Sequence, residues 1–379
     1  MIEYRPRTNT EKIEGKEYHW IVLTGGPCSG KTTILSMAER ELLDKGYKVF
    51  MVDEAASRII NSGIDQDYFD VKDFQNYIAG TQIANESIYQ DVVAKCKYDK
   101  IVVICDRGLL DGKAYMDHDD FAEMLKSYGT DEVTARDSYD GVIFLVTAAK
   151  GAEKNYSLKN NKARKETIEE AREIDTKTLA AWTTHPHLSV IDNSTGFAKK
   201  KARAMAQIYN ILGSPVPIDT YKKYLIEMPD FKKIRSMNGY NVVEISRTYL
   251  MSTDDNHHEK SVTKRTINGM NSFYYMERQH YKGFDRIDVE RRIDKNEYRS
   301  ILGDASNRLK ELKKTRHCFT WEDKYYEIDV LPLWNEKAIL KIQLTDKGST
   351  FEVPSFLTTI KDVSDNPNYT SFSLAQNIN

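Results

Sequence analysis

The stretch Gly25-Gly26-Pro27-Cys28-Ser29-Gly30-Lys31-Thr32-Thr33 constrains this chain more than any other. It fits the pattern G-x-x-x-x-G-K-[ST], with the apolar run Trp20-Ile21-Val22-Leu23 before it and a helical pattern ending near Gly46 after it. A turn of small residues lets successive backbone N–H groups converge on phosphate oxygens. Lys31 adds a mobile cation for the β- and γ-phosphates, and the Thr32 hydroxyl can coordinate Mg²⁺ at the positive end of the following helix. These nine residues are therefore the predicted nucleotide-binding positions. ATP or GTP with Mg²⁺ is the predicted ligand.

The chain has 379 residues, long for one core, so two domains are expected. Its net charge of −2 supplies no global field for nucleic acid or an anionic membrane. Cys28, Cys96, Cys105 and Cys318 lack the spacing of a disulfide framework or a zinc site and read as reduced thiols. No apolar run approaches the length of a membrane span, and the polar start lacks a signal-peptide core. The expectation is a cytoplasmic protein without a transmembrane segment.

In the first half, β-branched runs (21–24, 49–52, 101–105, 142–146, 188–191) alternate with amphipathic helical stretches. That rhythm predicts an open α/β parallel sheet of the P-loop kinase kind, with its ligand beyond the carboxyl ends of the strands. Near Gly213-Ser214-Pro215-Val216-Pro217 the rhythm breaks. Strand-like runs at 240–251, 261–268, 272–281, 318–331 and 338–344, with helical stretches near 294–302 and 304–313, predict an α+β second half with an antiparallel sheet. The expected division is a tail over 1–17, a nucleotide-binding domain over 18–213, a linker over 214–239 and a second domain over 240–379.

Several charged residues fall where the strands should end. Asp53-Glu54 closes the second run, and a carboxylate there suits a general base or a holder of Mg²⁺-bound water. Asp53 alternatively caps the next helix. Asp106 follows the buried run 101–105, the place for a second Mg²⁺ ligand, and Arg107 beside it suits an anionic substrate unless the two form a plain surface ion pair. Asp111 and Tyr115 lie one and two helical turns further on. Arg164 and Arg172, between the fourth and fifth runs, fit either a lid that brings arginines to the transferring phosphoryl group or a solvated helix. Asp192-Asn193-Ser194-Thr195 follows the last run, where such loops hold the base, and Asn193 is the candidate there. Lys199-Lys200-Lys201 reads as a solvated face.

The phosphate loop, Glu54-Ala55-Ala56-Ser57-Arg58 and Asp106-Arg107-Gly108-Leu109-Leu110-Asp111 together resemble the NadR-like P-loop ATPase/kinase domains over roughly residues 18–213. The resemblance implies a nucleotide-kinase fold, Mg²⁺ and a nucleoside triphosphate, with Lys31, Glu54, Asp106, Arg107 and the lid arginines around the reaction. The second half resembles the CYTH or triphosphate-tunnel fold on Glu244, Arg265, Arg286-Ile287-Asp288-Val289-Glu290, Lys314-Thr315-Arg316 and Tyr326-Glu327-Ile328-Asp329-Val330. That implies an antiparallel barrel binding an anionic ligand through Arg265, Arg278, Arg286, Lys314 and Arg316. Where catalytic members carry E-x-E-x-K, this chain has Glu244, Ser246 and Thr248, and where their last strand carries E-x-E it has Lys341 and Gln343. Loss of those carboxylates predicts weak metal binding and little tunnel triphosphatase activity. The pairing of the two halves resembles the TRPL translocation defect proteins. This implies GTP binding joined to recognition of a phosphoinositide or phosphatidic acid. The partners expected are thus a nucleoside triphosphate and a phosphorylated small molecule or anionic lipid headgroup, with nucleic acid disfavoured.

Overall fold

The computed structural model describes residues 2–7, 15–156, 167–214, 221–251, 258–281, 284–332, 334–344 and 352–377. The chain divides into two compact units, the first running to Ile208 and the second from Tyr209.

In the first unit the elements alternate: β1 (Glu17–Gly25), α1 (Lys31–Asp44), β2 (Lys48–Val52), α2 (Ala55–Asn61), α3 (Val71–Lys95), β3 (Lys100–Asp106), α4 (His118–Ser127), α5 (Glu132–Arg136), β4 (Gly141–Leu145), α6 (Ile168–Trp182), β5 (Leu188–Ile191) and α7 (Phe197–Ile211). The strands form one parallel sheet in the order β2-β3-β1-β4-β5. Helices cover both of its faces, so its central strands are apolar throughout: Ile21 to Leu23, Ile101 to Cys105 and Val142 to Leu145 are all buried. The five β-branched runs of the sequence are these five strands. Register sets Leu23 against Asp106 and Gly25 against Leu145, so the phosphate loop and Asp106 emerge side by side at the carboxyl edge. Residues 2–7, predicted to be part of a tail, belong to this unit, with Tyr4 and Arg7 buried against it.

The second unit contains β6 (Tyr221–Glu227), α8 (Phe231–Arg235), β7 (Asn241–Tyr249), β8 (His258–Ile267), β9 (Met270–Tyr281), β10 (Phe284–Ile293), α9 (Lys295–Ile301), β11 (Leu312–Trp321), β12 (Lys324–Val330), β13 (Lys337–Gln343), β14 (Thr359–Asp362) and α10 (Ser371–Asn377). Its antiparallel sheet runs β10-β9-β8-β7-β11-β12-β13-β6-β14. Three sequence expectations give way here. The predicted linker contains β6, inserted between β13 and β14, because Leu225 and Ile226 supply a buried pair that the flanking prolines mask. The run 318–331 is two strands joined at Glu322-Asp323, whose φ values of 47° and 58° make a tight hairpin without the usual Asn-Gly signal. The stretch 304–313, expected to be helical, is a turn followed by the start of β11.

One face of this sheet packs apolar residues under α8 and α9: Ile226, Tyr326, Ile328 and Leu340 on one side, and Val262 and Ile293 against Tyr298 of α9 on the other. The opposite face is polar yet buried, with Ser261, Ser272, Cys318 and Asp329 each 2 % exposed or less. Arg247 on β7 lies 4.0 Å from Glu290 on β10, across a span that would be about 14 Å on a flat sheet. The sheet therefore curls around this polar face. At one end the curl is plugged by α10, where Phe372 packs edge-on to Tyr249. Among the described residues no helix is long and apolar enough to cross a membrane.

Candidate functional site

The turn between β1 and α1 is built to leave amides open. Gly30 stands at the N-cap of α1 with φ 95°, and no side chain caps the helix, so its first N–H groups are available to an anion. At Gly25 a Cβ would lie 2.0 Å from the carbonyl oxygen of Leu145, so only glycine lets β1 run beside β4 at this point. The Lys31 ammonium folds back to the carbonyl of Gly25 at 3.3 Å. Burial and the nearby Arg107 lower its pKa, against the opposing pull of Asp106, Glu54 and Asp111. Thr32 and Thr33 are exposed at the loop's mouth.

Asp106 ends β3 beside this loop. Its Oδ1 is buried and has no hydrogen-bond partner, and burial raises its pKa, helped by Glu54 and Asp111 and opposed by Lys31 and Arg107. An orphaned carboxylate oxygen lining the same cleft as the exposed Thr32 fits Mg²⁺, which takes one or two protein oxygens and fills its shell with phosphate and water. Among the described residues no group of three or more His, Cys, Asp or Glu could hold a metal alone.

Arg107 adopts the left-handed conformation, φ 73°, with its N–H on the Leu23 carbonyl at 3.1 Å. From there the guanidinium pairs with the Glu54 carboxylate and donates to the Gly25 carbonyl at 3.3 Å. Glu54, not Asp53, occupies the N-cap position of α2, and Asp53 is exposed. Burial pushes the Glu54 carboxyl up, but Arg107, Lys31 and the Ser57 hydroxyl (2.5 Å) bring it down to about 2. A cleft of about 2230 Å³ joins these groups. It runs from the phosphate loop past Glu54 and Arg107 to Phe74, Gln75 and Tyr115, with Asn193 and Phe197 on another wall.

Other candidates have structural partners. Asp111 is buried and accepts from Thr24 (2.7 Å), the Trp182 indole (2.7 Å) and the Gly108 amide (3.2 Å), which makes it a brace under the cleft floor. Asn193 donates to the carbonyls of Thr147 and Lys150, both at 2.7 Å, and accepts from Lys200 at 2.7 Å. Its amide is engaged in holding the 146–150 loop instead of a base. Arg172 donates to the Ala149 carbonyl (2.7 Å) and pairs with Glu153 (3.1 Å), outside the cleft lining. Arg164 lies outside the described residues.

Two residues that brace the phosphate loop and its neighbouring loop escaped sequence reasoning. Asp175 on α6 is fully buried, and its Oδ1 accepts from the amides of Gly26 (3.0 Å) and Thr147 (2.9 Å) while Lys150 pairs with it at 3.1 Å. It fixes the phosphate loop from behind. Lys200, expected on a solvated face, is 2 % exposed and donates to the Val146 carbonyl at 2.7 Å. Burial lowers its pKa to about 8, Asp175 opposing the shift. The available signal was a charge on an apolar helical stripe: Asp175 between Ala171 and Leu179, and Lys200 beside Ala204.

The curled face of the second unit carries a second charged constellation. Asp329 on β12 accepts from Arg316 (2.7 and 3.1 Å), Lys314 (2.7 Å) and Lys341 (2.8 Å), and Arg316 also pairs with Glu327 at 2.7 Å. Burial alone would raise the Asp329 pKa, yet these three cations hold it well below the usual carboxylate range. Arg265 is buried on the same face, and Arg278 pairs with Glu259 at 3.4 Å. The side chain of Arg286 lies outside the described residues. Glu244, Ser246 and Thr248 alternate onto the opposite face of β7, which presents Val243, Ile245 and Arg247 to the polar side. The expected correspondence of those three residues with the tunnel's carboxylate positions therefore fails on register.

Residues 20–200 match a family described as an AAA domain. The first unit is a P-loop-type nucleotide-binding domain. No curated protein matches the chain. Among solved structures it is similar to the inorganic triphosphatase NE1496, at 18% identity over 42% of this chain and 94% of that one, with a TM-score of 0.30. It is also similar to the PH1819 protein from Pyrococcus horikoshii OT3, at 17% identity over 34% and 80%, with a TM-score of 0.26. Likeness of that extent leaves function to the residues themselves.

Proposed function

We propose that the first unit is a NadR-like, Mg²⁺-dependent kinase-type phosphotransferase or nucleoside triphosphatase, joined to a CYTH-like unit whose tunnel holds an anion without hydrolysing it. The observation that carries the first part is the unpartnered Asp106 oxygen beside Lys31 and the open turn of α1. Thr32 and Asp106 would hold Mg²⁺, which neutralises phosphate charge when bound. Lys31 and the amides of the turn bind and orient the phosphates. Arg107 faces the same edge, where a guanidinium stabilises charge on a transferring phosphoryl group. The rest of the cleft, past Gln75 and Tyr115, leaves room for an acceptor. Lys31→Ala and Asp106→Ala should each abolish phosphate release from ATP or GTP, and undiminished release in both would sink the reading.

A second reading has its own observation. A general base works best with a pKa near the working pH, and Glu54, paired with Arg107 and titrating at about 2, is a weak one. A non-catalytic GTP-binding regulatory or trafficking protein needs no base. In it the cationic surplus around Asp329 would take a phosphoinositide or phosphatidic acid headgroup. Tight GTP binding with no release of phosphate, together with binding to phosphoinositide vesicles, would favour this reading over the first.

A further inference from the structure

Beneath residues 2–7 lies a buried ion pair that nucleotide binding does not use. The Arg7 guanidinium sits between two rings, 4.5 Å from the Trp20 centroid and 4.3 Å from that of Tyr139. Its Nε donates to the Ser138 carbonyl at 3.0 Å, and its Nη1 pairs with Glu86 on α3. Glu86 is 2 % exposed. Its other oxygen accepts from the Gln82 amide at 2.6 Å and from the Tyr139 hydroxyl at 2.7 Å.

Both of those donors reach the turn that carries Arg107. Gln82 also donates to the Arg107 carbonyl at 3.4 Å, and the Tyr139 hydroxyl accepts from the Leu109 amide at 3.2 Å. Glu86 thus braces the turn on both sides of a residue whose left-handed backbone needs such support. One Glu86 oxygen accepts from both donors while the other stays with the Arg7 guanidinium, so the pair with Arg7 fixes where the brace sits. Burying a carboxylate is costly unless a cation is paired with it, and Arg7 is the cation at Glu86.

We infer that Arg7 is a positioning residue for Arg107: through Glu86, Gln82 and Tyr139 it fixes the turn from which Arg107 reaches Glu54 and the phosphate loop. The inference rests on the reading of the first unit as a phosphoryl-transfer or hydrolysis site. The N-terminal segment is then part of the machinery of the cleft. The segment is also held by the Tyr4 amide on the Tyr128 carbonyl at 2.9 Å and by Gln90 on the Arg5 carbonyl at 2.9 Å, whereas the Arg5–Asp91 pair at 2.9 Å is half exposed and contributes little.

The test uses the full chain with Arg7→Ala, Arg7→Lys and the pair Arg7→Ala/Glu86→Gln, followed by amide hydrogen exchange and by nucleotide-dependent phosphate release. Arg7→Ala should speed exchange over residues 106–111 by about tenfold or more while residues 25–32 keep their protection. It should lower kcat on the order of a hundredfold with KM for the nucleotide nearly unchanged. Adding Glu86→Gln removes the uncompensated carboxylate and should restore most of both losses, the signature of an effect that runs through Glu86. If Arg7→Ala does not fold, Arg7→Lys carries the test, since it keeps the charge and should keep the protection of 106–111. Unchanged exchange at 106–111 in Arg7→Ala, no rescue by Glu86→Gln, or loss of protection in Arg7→Lys would each overturn the inference. A wild-type chain that releases no phosphate would defeat the enzymatic reading, and the exchange data would still decide the role of Arg7.

Discussion

Asp106 and Asp329 are both carboxylates sunk into a sheet, and their surroundings are opposite. Asp106 closes a parallel strand with one oxygen unpartnered, its pKa raised by burial and by the carboxylates of Glu54 and Asp111. Asp329 sits mid-strand under Lys314, Arg316 and Lys341, ionised and saturated with donors. The first arrangement offers an oxygen with no hydrogen-bond partner, and the second pairs its carboxylate with lysine and arginine. Lys314, Arg316 and Lys341 face the two carboxylates of Asp329 and Glu327, an excess of one cation at most, because burial lowers the Lys314 pKa well below its usual value. Under the proposed function, the same residue type would serve a metal-dependent site in one unit and a metal-independent one in the other.

Removal of each carboxylate tests this contrast most strongly. Asp329→Ala takes the carboxylate from Lys314 and Lys341 and leaves Arg316 with Glu327 alone; it should lower the unfolding free energy of the second unit by about 3 kcal/mol, read as a drop in its denaturation midpoint. Asp106→Ala removes a carboxylate with one unpartnered buried oxygen and should cost the first unit far less stability. Equal losses from both would break the comparison.

Glu54 is the first unit's own engaged carboxylate, and pH exposes it. Its folded pKa of about 2 lies below the ordinary 4.5, so its contribution is complete above that value and disappears as pH falls towards 2. The stability gap between wild type and Glu54→Gln should shrink by up to about 3 kcal/mol between neutral pH and that limit, measured by urea titration across pH. A gap independent of pH would show that the pair with Arg107 does not set the protonation of Glu54.

Ligands give smaller effects. ATP or GTP at about 100 times its Kd should stabilise the first unit by about 2.7 kcal/mol in Mg²⁺ and far less in EDTA. Tripolyphosphate at about ten times its Kd should stabilise the second unit by about 1.4 kcal/mol, equally in Mg²⁺ and in EDTA. Stabilisation by tripolyphosphate only with Mg²⁺ would mean that the curled face retains a metal site.

The two units also differ in how far the sequence disclosed them. The first was legible because a parallel sheet covered on both faces must be apolar throughout, and the phosphate loop fixes glycines at positions that backbone contact dictates, such as Gly25 against Leu145. Its hidden part was the bracing. Asp175 and Lys200 are charged residues on buried helical stripes, and a pattern read for apolar faces passes over them. In the second unit the alternation of β11 and β12 placed Lys314, Arg316, Glu327 and Asp329 on one face, as strand period requires. Register was not legible: Glu244 belongs to the outer face because its partner is Thr315, and no local signal encodes that pairing. The strand β6 lay hidden in a Pro-rich stretch, since its two buried residues gain meaning only beside β13.

Calorimetric titration of ATP and GTP into the wild-type chain and into Asp106→Asn, each with Mg²⁺ and with EDTA, tests the central claim most directly. The expected result is binding by the wild type that weakens at least about tenfold in EDTA, and binding by Asp106→Asn that is equally weak in both conditions. Nucleotide affinity that is the same in all four titrations would contradict the account.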